Sequence, residues 1–108
     1  MEKYRYLDGK GTGLDFQGMV TDITKAPEGS MFLLHACAHN PTGVDPTQDQ
    51  WDEISHEVKK KNHVVLMDCA YQGFASGNAD KDAYSIRKVP PLLFFIFSLL
   101  SLAFFDLY

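Results

Sequence analysis

Cysteine is scarce in this chain: its 108 residues hold two, Cys37 and Cys69, both at the ends of expected strands, and no secretory segment opens the sequence. A disulfide framework is therefore not expected, and the thiols read as reduced ones in an intracellular compartment. Basic charge is scarce as well. Lys and Arg number 10 against 14 Asp and Glu, a net charge of -4, and the one basic run, Lys59-Lys60-Lys61, suits the wet end of a helix. Nucleic acid is not an expected partner. Length is also limiting: a chain this short makes one domain at most, with elements packed in two or three layers, or a piece of a domain.

Two stretches organise what is present. His35-Ala36-Cys37-Ala38-His39-Asn40-Pro41-Thr42-Gly43 follows the β-forming run Met31 to Leu34, and Met67-Asp68-Cys69-Ala70-Tyr71-Gln72-Gly73-Phe74 follows His63 to Leu66. Each reads as the polar exit of a buried strand. A helix is expected between them, which makes a βαβ unit with parallel strands and both exits on one sheet edge. Open α/β sheets bind ligands at that edge. Asn40, Asp68 and Tyr71 are thereby candidates to meet on one small molecule.

Along the chain, Tyr4-Arg5-Tyr6 is a short strand candidate, followed by a Gly-rich turn at Asp8 to Gly11. Nothing there looks like a native beginning. Phe16, Met19, Val20 and Ile23 share one helical face, with Asp15 as N-cap and Pro27 and Gly29 as the stop. Thr47 with Gln50 forms a capping box, and Trp51, Ile54 and Val58 mark the buried stripe of the helix it starts. The second strand, His63 to Met67, is almost wholly apolar, as expected of a strand covered on both faces. Asp80 to Arg87 opens another helix. From Val89 the chain turns apolar and aperiodic, with no charge until Asp106. Three readings stand: a tail anchor just short of the roughly 17 to 25 residues of a membrane span, a core strand and helix interrupted by Pro90 and Pro91, or translated non-coding sequence. The last is preferred, because the rest of the chain is locally consistent and this stretch is not.

The string from His35 to Thr47 with Gln50-Trp51, and the block from Asp68 to Gly77, closely resemble the aspartate aminotransferases, fold-type-I pyridoxal-phosphate enzymes. The resemblance covers about Tyr4 to Arg87. It implies an α/β fold: a partial three-layer parallel-type sheet with flanking helices, a fragment of the family's large domain over residues 1–88, and an apolar, non-homologous tail over 89–108. It implies pyridoxal 5'-phosphate as cofactor. Asp68 looks like the carboxylate that pairs with the pyridine nitrogen and keeps the ring an electron sink. Tyr71 and Asn40 look like the hydrogen-bond donors to the ring's phenolic oxygen. Asn40 also looks like a contact for the substrate carboxylate, and the family pattern makes the Asn40-Pro41 bond cis. Taken singly, an Asp at a strand exit is often a cap and an Asn-Pro-Thr-Gly stretch a turn; the two together in a βαβ frame favour the cofactor.

Strand alternation would put His35, Cys37 and His39 on one face, near Cys69, but no known ligand spacing places a fourth group, so no metal is expected. Both histidines read as packing or supporting residues. No catalytic residue is assigned. The family's Schiff-base lysine belongs to sequence that the apolar tail replaces, and none of the lysines here matches its motif. The loop that cradles the cofactor phosphate, the ring-stacking aromatic residue and the substrate-clamping arginines are missing too. The resemblance therefore implies aspartate transamination (aspartate and 2-oxoglutarate to oxaloacetate and glutamate) with small amino and 2-oxo acids as partners and a homodimer for complete relatives. The isolated chain is expected neither to hold the cofactor tightly nor to turn over. A non-catalytic interaction product, or a membrane-anchored one from splicing or read-through, is the alternative, although a membrane is not the favoured partner.

Overall fold

A computed structural model of the chain describes residues 2–69 and 71–89. The apolar stretch expected as a tail lies outside the described residues, except for Val89, which is buried against the core. Element order is α1 (Phe16–Lys25), β1 (Met31–His35), α2 (Gln48–Lys60), β2 (Val64–Asp68), α3 (Ala79–Asp82) and α4 (Tyr84–Lys88).

Both long helices begin where their capping residues dictate. The Asp15 carboxylate accepts from Gly18 N at 2.9 Å, satisfying one of the first-turn donors that a helix leaves unpaired. Thr47 and Gln50 form the full reciprocal box: Gln50 N donates to Thr47 Oγ1 at 3.3 Å and Thr47 N to Gln50 Oε1 at 2.8 Å. At the other end of α2, Lys59 and Lys60 occupy the last turn, where the helix dipole favours positive charge.

β1 and β2 pair in parallel, with Met31 opposite Val64 and His35 opposite Asp68. Among the described residues the sheet has these two strands. Phe32 and Leu34 share one face with their register partners Val65 and Met67, and Ala36 and Cys69, just past the strand ends, join the same core. Trp51, Ile54 and Val58 of α2, Met19 and Ile23 of α1, and Val89 complete the core on that face. Its innermost members are 0 to 1% exposed (Met19, Ile23, Leu34, Ile54, Val58), and burying a side chain of that size stabilises by roughly 1.5 to 3 kcal/mol. Coverage of the second strand on both faces is not what the described residues give: Val64 and Leu66 are half-buried and Met31 is exposed, because α1 and α2 pack on the opposite face with each other.

Two local expectations are also corrected. Tyr4-Arg5-Tyr6 is no strand; the sole bridge nearby among the described residues joins Leu7 to Leu14. Its groups find other partners: the Tyr4 hydroxyl donates to Leu33 O, the Tyr6 hydroxyl to Val44 O, and Arg5 N to the Asp22 carboxylate. Residues 79–88 are not one helix but two short ones that meet at Ala83. The Asp82 side chain turns back to a preceding loop at this joint, and Ser85 Oγ donates to Ala36 O at 2.9 Å, which ties α4 to the end of β1.

Candidate functional site

The right-handed logic of a strand, helix, strand unit brings the two polar exits to one end of the sheet. Asp68 closes β2 directly opposite His35, the last residue of β1, and Ala36 N donates to Asp68 O at 2.8 Å. Asp68 is half-buried there. Asn40 lies five residues past the end of β1 and its own N–H donates to His35 Nδ1 at 3.2 Å. Tyr71 follows Asp68 by three residues, with Phe74 N donating to Tyr71 O at 3.1 Å. All three residues named from the sequence are thus carried by the same sheet end.

Accepting at Nδ1 leaves His35 to carry its proton on Nε2 in the neutral form. Burial lowers its pKa, while the negative charges of Asp68 and Asp45 act in the opposite direction. The ring stays neutral at pH 7. His39 is pushed down further, to about 4, by burial and by His35, again opposed by Asp45. Its ring stacks on Tyr6 at 3.7 Å between centroids and 12° between planes, and its Nδ1 lies 2.8 Å from Thr42 Oγ1. Both histidines support the exit, and His39 also lines the groove of about 770 Å³ beside β1.

The alternation that would align His35, Cys37 and His39 stops early, because β1 ends at His35 and Ala38 takes a left-handed φ of 48°. Among the described residues no group of three or more His, Cys, Asp or Glu side chains is arranged to hold a metal. Cys37 and Cys69 are buried free thiols, raised by burial to about 12 and about 11. They are poor nucleophiles in that state.

Two carboxylates that the sequence did not single out fix the exit loops. Asp45 accepts from Ala38 N at 2.7 Å and from His39 N at 2.9 Å, which holds the turn that carries Asn40. The bond after Asn40 is cis, as the resemblance implied. Asp82 accepts from Gly73 N at 2.8 Å, Ala75 N at 3.2 Å and Ser76 Oγ at 2.7 Å, which holds the loop after Tyr71. These bonds, the Ser76 hydroxyl first, keep its pKa below the usual carboxylate range. An Asp-Pro pair ahead of a capping box was the available signal for Asp45; for Asp82, seen as one face of a helix, there was none.

The donor set suits a ring with a basic nitrogen and an ionised oxygen: one carboxylate at Asp68, and neutral donors at Asn40 and Tyr71. The Asn40 carboxamide and the Tyr71 hydroxyl make no hydrogen bond to any described residue, so both are available to a ligand. A half-buried unpaired donor gains most from such a partner.

The family model of class I and II aminotransferases matches residues 1–100. A chloroplastic aspartate aminotransferase from Arabidopsis thaliana is 60% identical over 85 residues, 79% of this chain and 19% of that protein. A cytoplasmic aspartate aminotransferase from Dictyostelium discoideum is 60% identical over the same number of residues, 85, again 79% of this chain and 19% of the relative. The structure of a mitochondrial aspartate aminotransferase from Trypanosoma brucei superposes with a TM-score of 0.79 at 50% identity, over 82% of this chain and 23% of that one. The chain spans about a fifth of the length of the curated relatives it matches.

Proposed function

The chain belongs to the family of class I and II aminotransferases, and on that premise we propose that it is part of the pyridoxal-phosphate-binding domain of an aspartate transaminase. The observation that carries this is the shared sheet end, where Asp68 lies opposite His35 while the Asn40 and Tyr71 donors are left without a described partner. When bound, the cofactor supplies an electron sink for the bonding electrons released at the substrate's α-carbon. Asp68 would hold the proton on the ring nitrogen by placing a negative charge beside it. Tyr71 and Asn40 would donate to the ring's phenolic oxygen and hold its charge, and Asn40 would also meet the substrate carboxylate. His35 orients the Asn40 backbone and stays neutral, so it does not compete for the charge of Asp68.

The complete enzyme would exchange amino groups between aspartate and 2-oxoglutarate, as a homodimer inside the cell; relatives carry cytoplasmic, chloroplastic and mitochondrial names. On this reading residues 1–88 are the cofactor-domain segment and 89–108 an apolar tail, although the family match runs on to residue 100. None of the chain's lysines stands in the motif of the family's covalent lysine, so no turnover is expected of these 108 residues alone.

The test is a titration of the labelled chain with pyridoxine 5'-phosphate, which has no aldehyde and so cannot label surface lysines. Nuclear magnetic resonance shifts centred on Asn40, Asp68 and Tyr71 are expected, together with no aspartate-dependent turnover when pyridoxal phosphate is supplied. Shifts that avoid all three residues, or steady turnover, would overturn the reading.

A further inference from the structure

Asp45 and Asp82 come from distant parts of the chain, yet both line one cavity of about 250 Å³ behind the strand exits, together with Cys37 and Ser76. Each uses both of its carboxylate oxygens on a single loop. Asp45 takes the N–H groups of Ala38 and His39, one per oxygen. The Asp82 Oδ2 gathers the N–H groups of Gly73 and Ala75, and its Oδ1 the Ser76 hydroxyl. The first loop presents Asn40 and the second follows directly from Tyr71. Among the described residues neither carboxylate is within salt-bridge distance of a cation; what each receives is loop N–H groups and, for Asp82, the Ser76 hydroxyl.

From this arrangement we propose that Asp45 and Asp82 are positioning residues: Asp45 sets Asn40, and Asp82 sets Tyr71, as the two donors to one ligand oxygen. The assignment rests on the function proposed above. Directional bonds suit this task, because a donor must be held within tenths of an ångström while the backbone around it is irregular: Ala38 has φ 48° and Gly73 φ 91°. Ala38 is not a glycine, so its left-handed conformation needs an external hold. The two Asp45 bonds supply it. On the other side, Gly73 adopts its φ at no steric cost, and the work of Asp82 is to gather donors from Gly73, Ala75 and Ser76 around one carboxylate.

The prediction is a crossed pattern in the 108-residue chain. Replacing Asp45→Asn should speed amide hydrogen exchange at Ala38 and His39 by about tenfold and leave Gly73 and Ala75 unchanged, since a charge-assisted bond to each amide is weakened. Asp82→Asn should do the reverse. With pyridoxine 5'-phosphate added, the first variant should lose the ligand-induced shift of the Asn40 side-chain amide and keep that of the Tyr71 ring; the second should lose the Tyr71 shift and keep that of Asn40. A merely structural role would weaken both signals together. Equal effects of either variant on both loops, or none on either, overturn the proposal. Unfolding of both variants, and of Asp45→Glu and Asp82→Glu, also counts against it, because a residue that only positions a loop is dispensable to the core. If the unsubstituted chain shows no ligand shift, the function proposed above fails, and the exchange pattern still decides the positioning roles.

Discussion

On the covered face of the sheet, Leu34, Met67, Trp51 and Ile54 are 1, 4, 4 and 0% exposed and hold one another by apolar contact. Just beyond the strand ends, the order of two irregular loops depends on the carboxylates of Asp45 and Asp82 accepting backbone N–H groups. Apolar contact is non-directional and tolerates small shifts; a carboxylate that takes two donors fixes position. The core thus supplies the stability and the exits supply the aim. A groove of about 770 Å³ beside β1, lined by Tyr4, Tyr6, Ala26, Pro27, Met31 and Phe32, belongs to neither regime.

The contrast breaks most visibly if the core is cut. Ile54→Ala should cost about 3 kcal/mol, from lost transfer energy and the cavity left behind, read as a lower urea midpoint with both loops loosening together. If the loops kept their native exchange rates while the core melted, the two regions would be independent and the hierarchy wrong. Asp45→Ala comes next, at about 2 kcal/mol for two charge-assisted bonds that leave buried donors unpaired. Its signature is local: near-ultraviolet circular dichroism of Trp51 should barely change, whereas His39 should lose its upfield ring shifts against Tyr6. Thr47→Ala removes half of the capping box and should cost about 1 kcal/mol, with frayed amides confined to the first turn of α2.

The smallest effect is a slope with pH. His39 titrates at about 4 in the folded chain against an ordinary 6.5, so the unfolded chain binds more protons between those values. Stability is therefore full above 6.5 and declines as pH falls toward 4. His39→Gln should flatten the slope across that window, measured by denaturation at a series of pH values. An unchanged slope would mean that other groups, such as His35, carry it.

Much of this was legible because it is local. The Asp15 cap, the Thr47 and Gln50 box, the stripe of Trp51, Ile54 and Val58, and both strands depend on residues within a few positions of one another; the caps and stripe stand where the pattern put them, and β2 runs one residue later than expected, from Val64 to Asp68. What was not legible depends on distant partners. Tyr4 and Tyr6 look like strand residues, but their hydroxyls reach Leu33 and Val44. Asp80 to Arg87 has a helical rhythm, but Asp82 is captured by the loop at 73–76 and Ser85 by Ala36. His35, Cys37 and His39 alternate as in a strand, yet the strand stops and Asp45 turns the backbone. At the site, Asn40, Asp68 and Tyr71 came from the motif. The carboxylates behind them came from the folded chain, because side chains that accept backbone N–H groups across a loop follow no spacing rule; the Asp45-Pro46 pair was at most a hint.

The central claim is that Asp68 faces the nitrogen of a pyridine ring, and ring-labelled pyridoxine 5'-phosphate tests it most directly. Bound to the chain, its ¹⁵N resonance should stay at the protonated position to higher pH than in the free ligand, and Asp68→Asn should abolish that displacement. A ring nitrogen that titrates in the complex as it does in free solution, or a displacement indifferent to Asp68→Asn, would contradict the account.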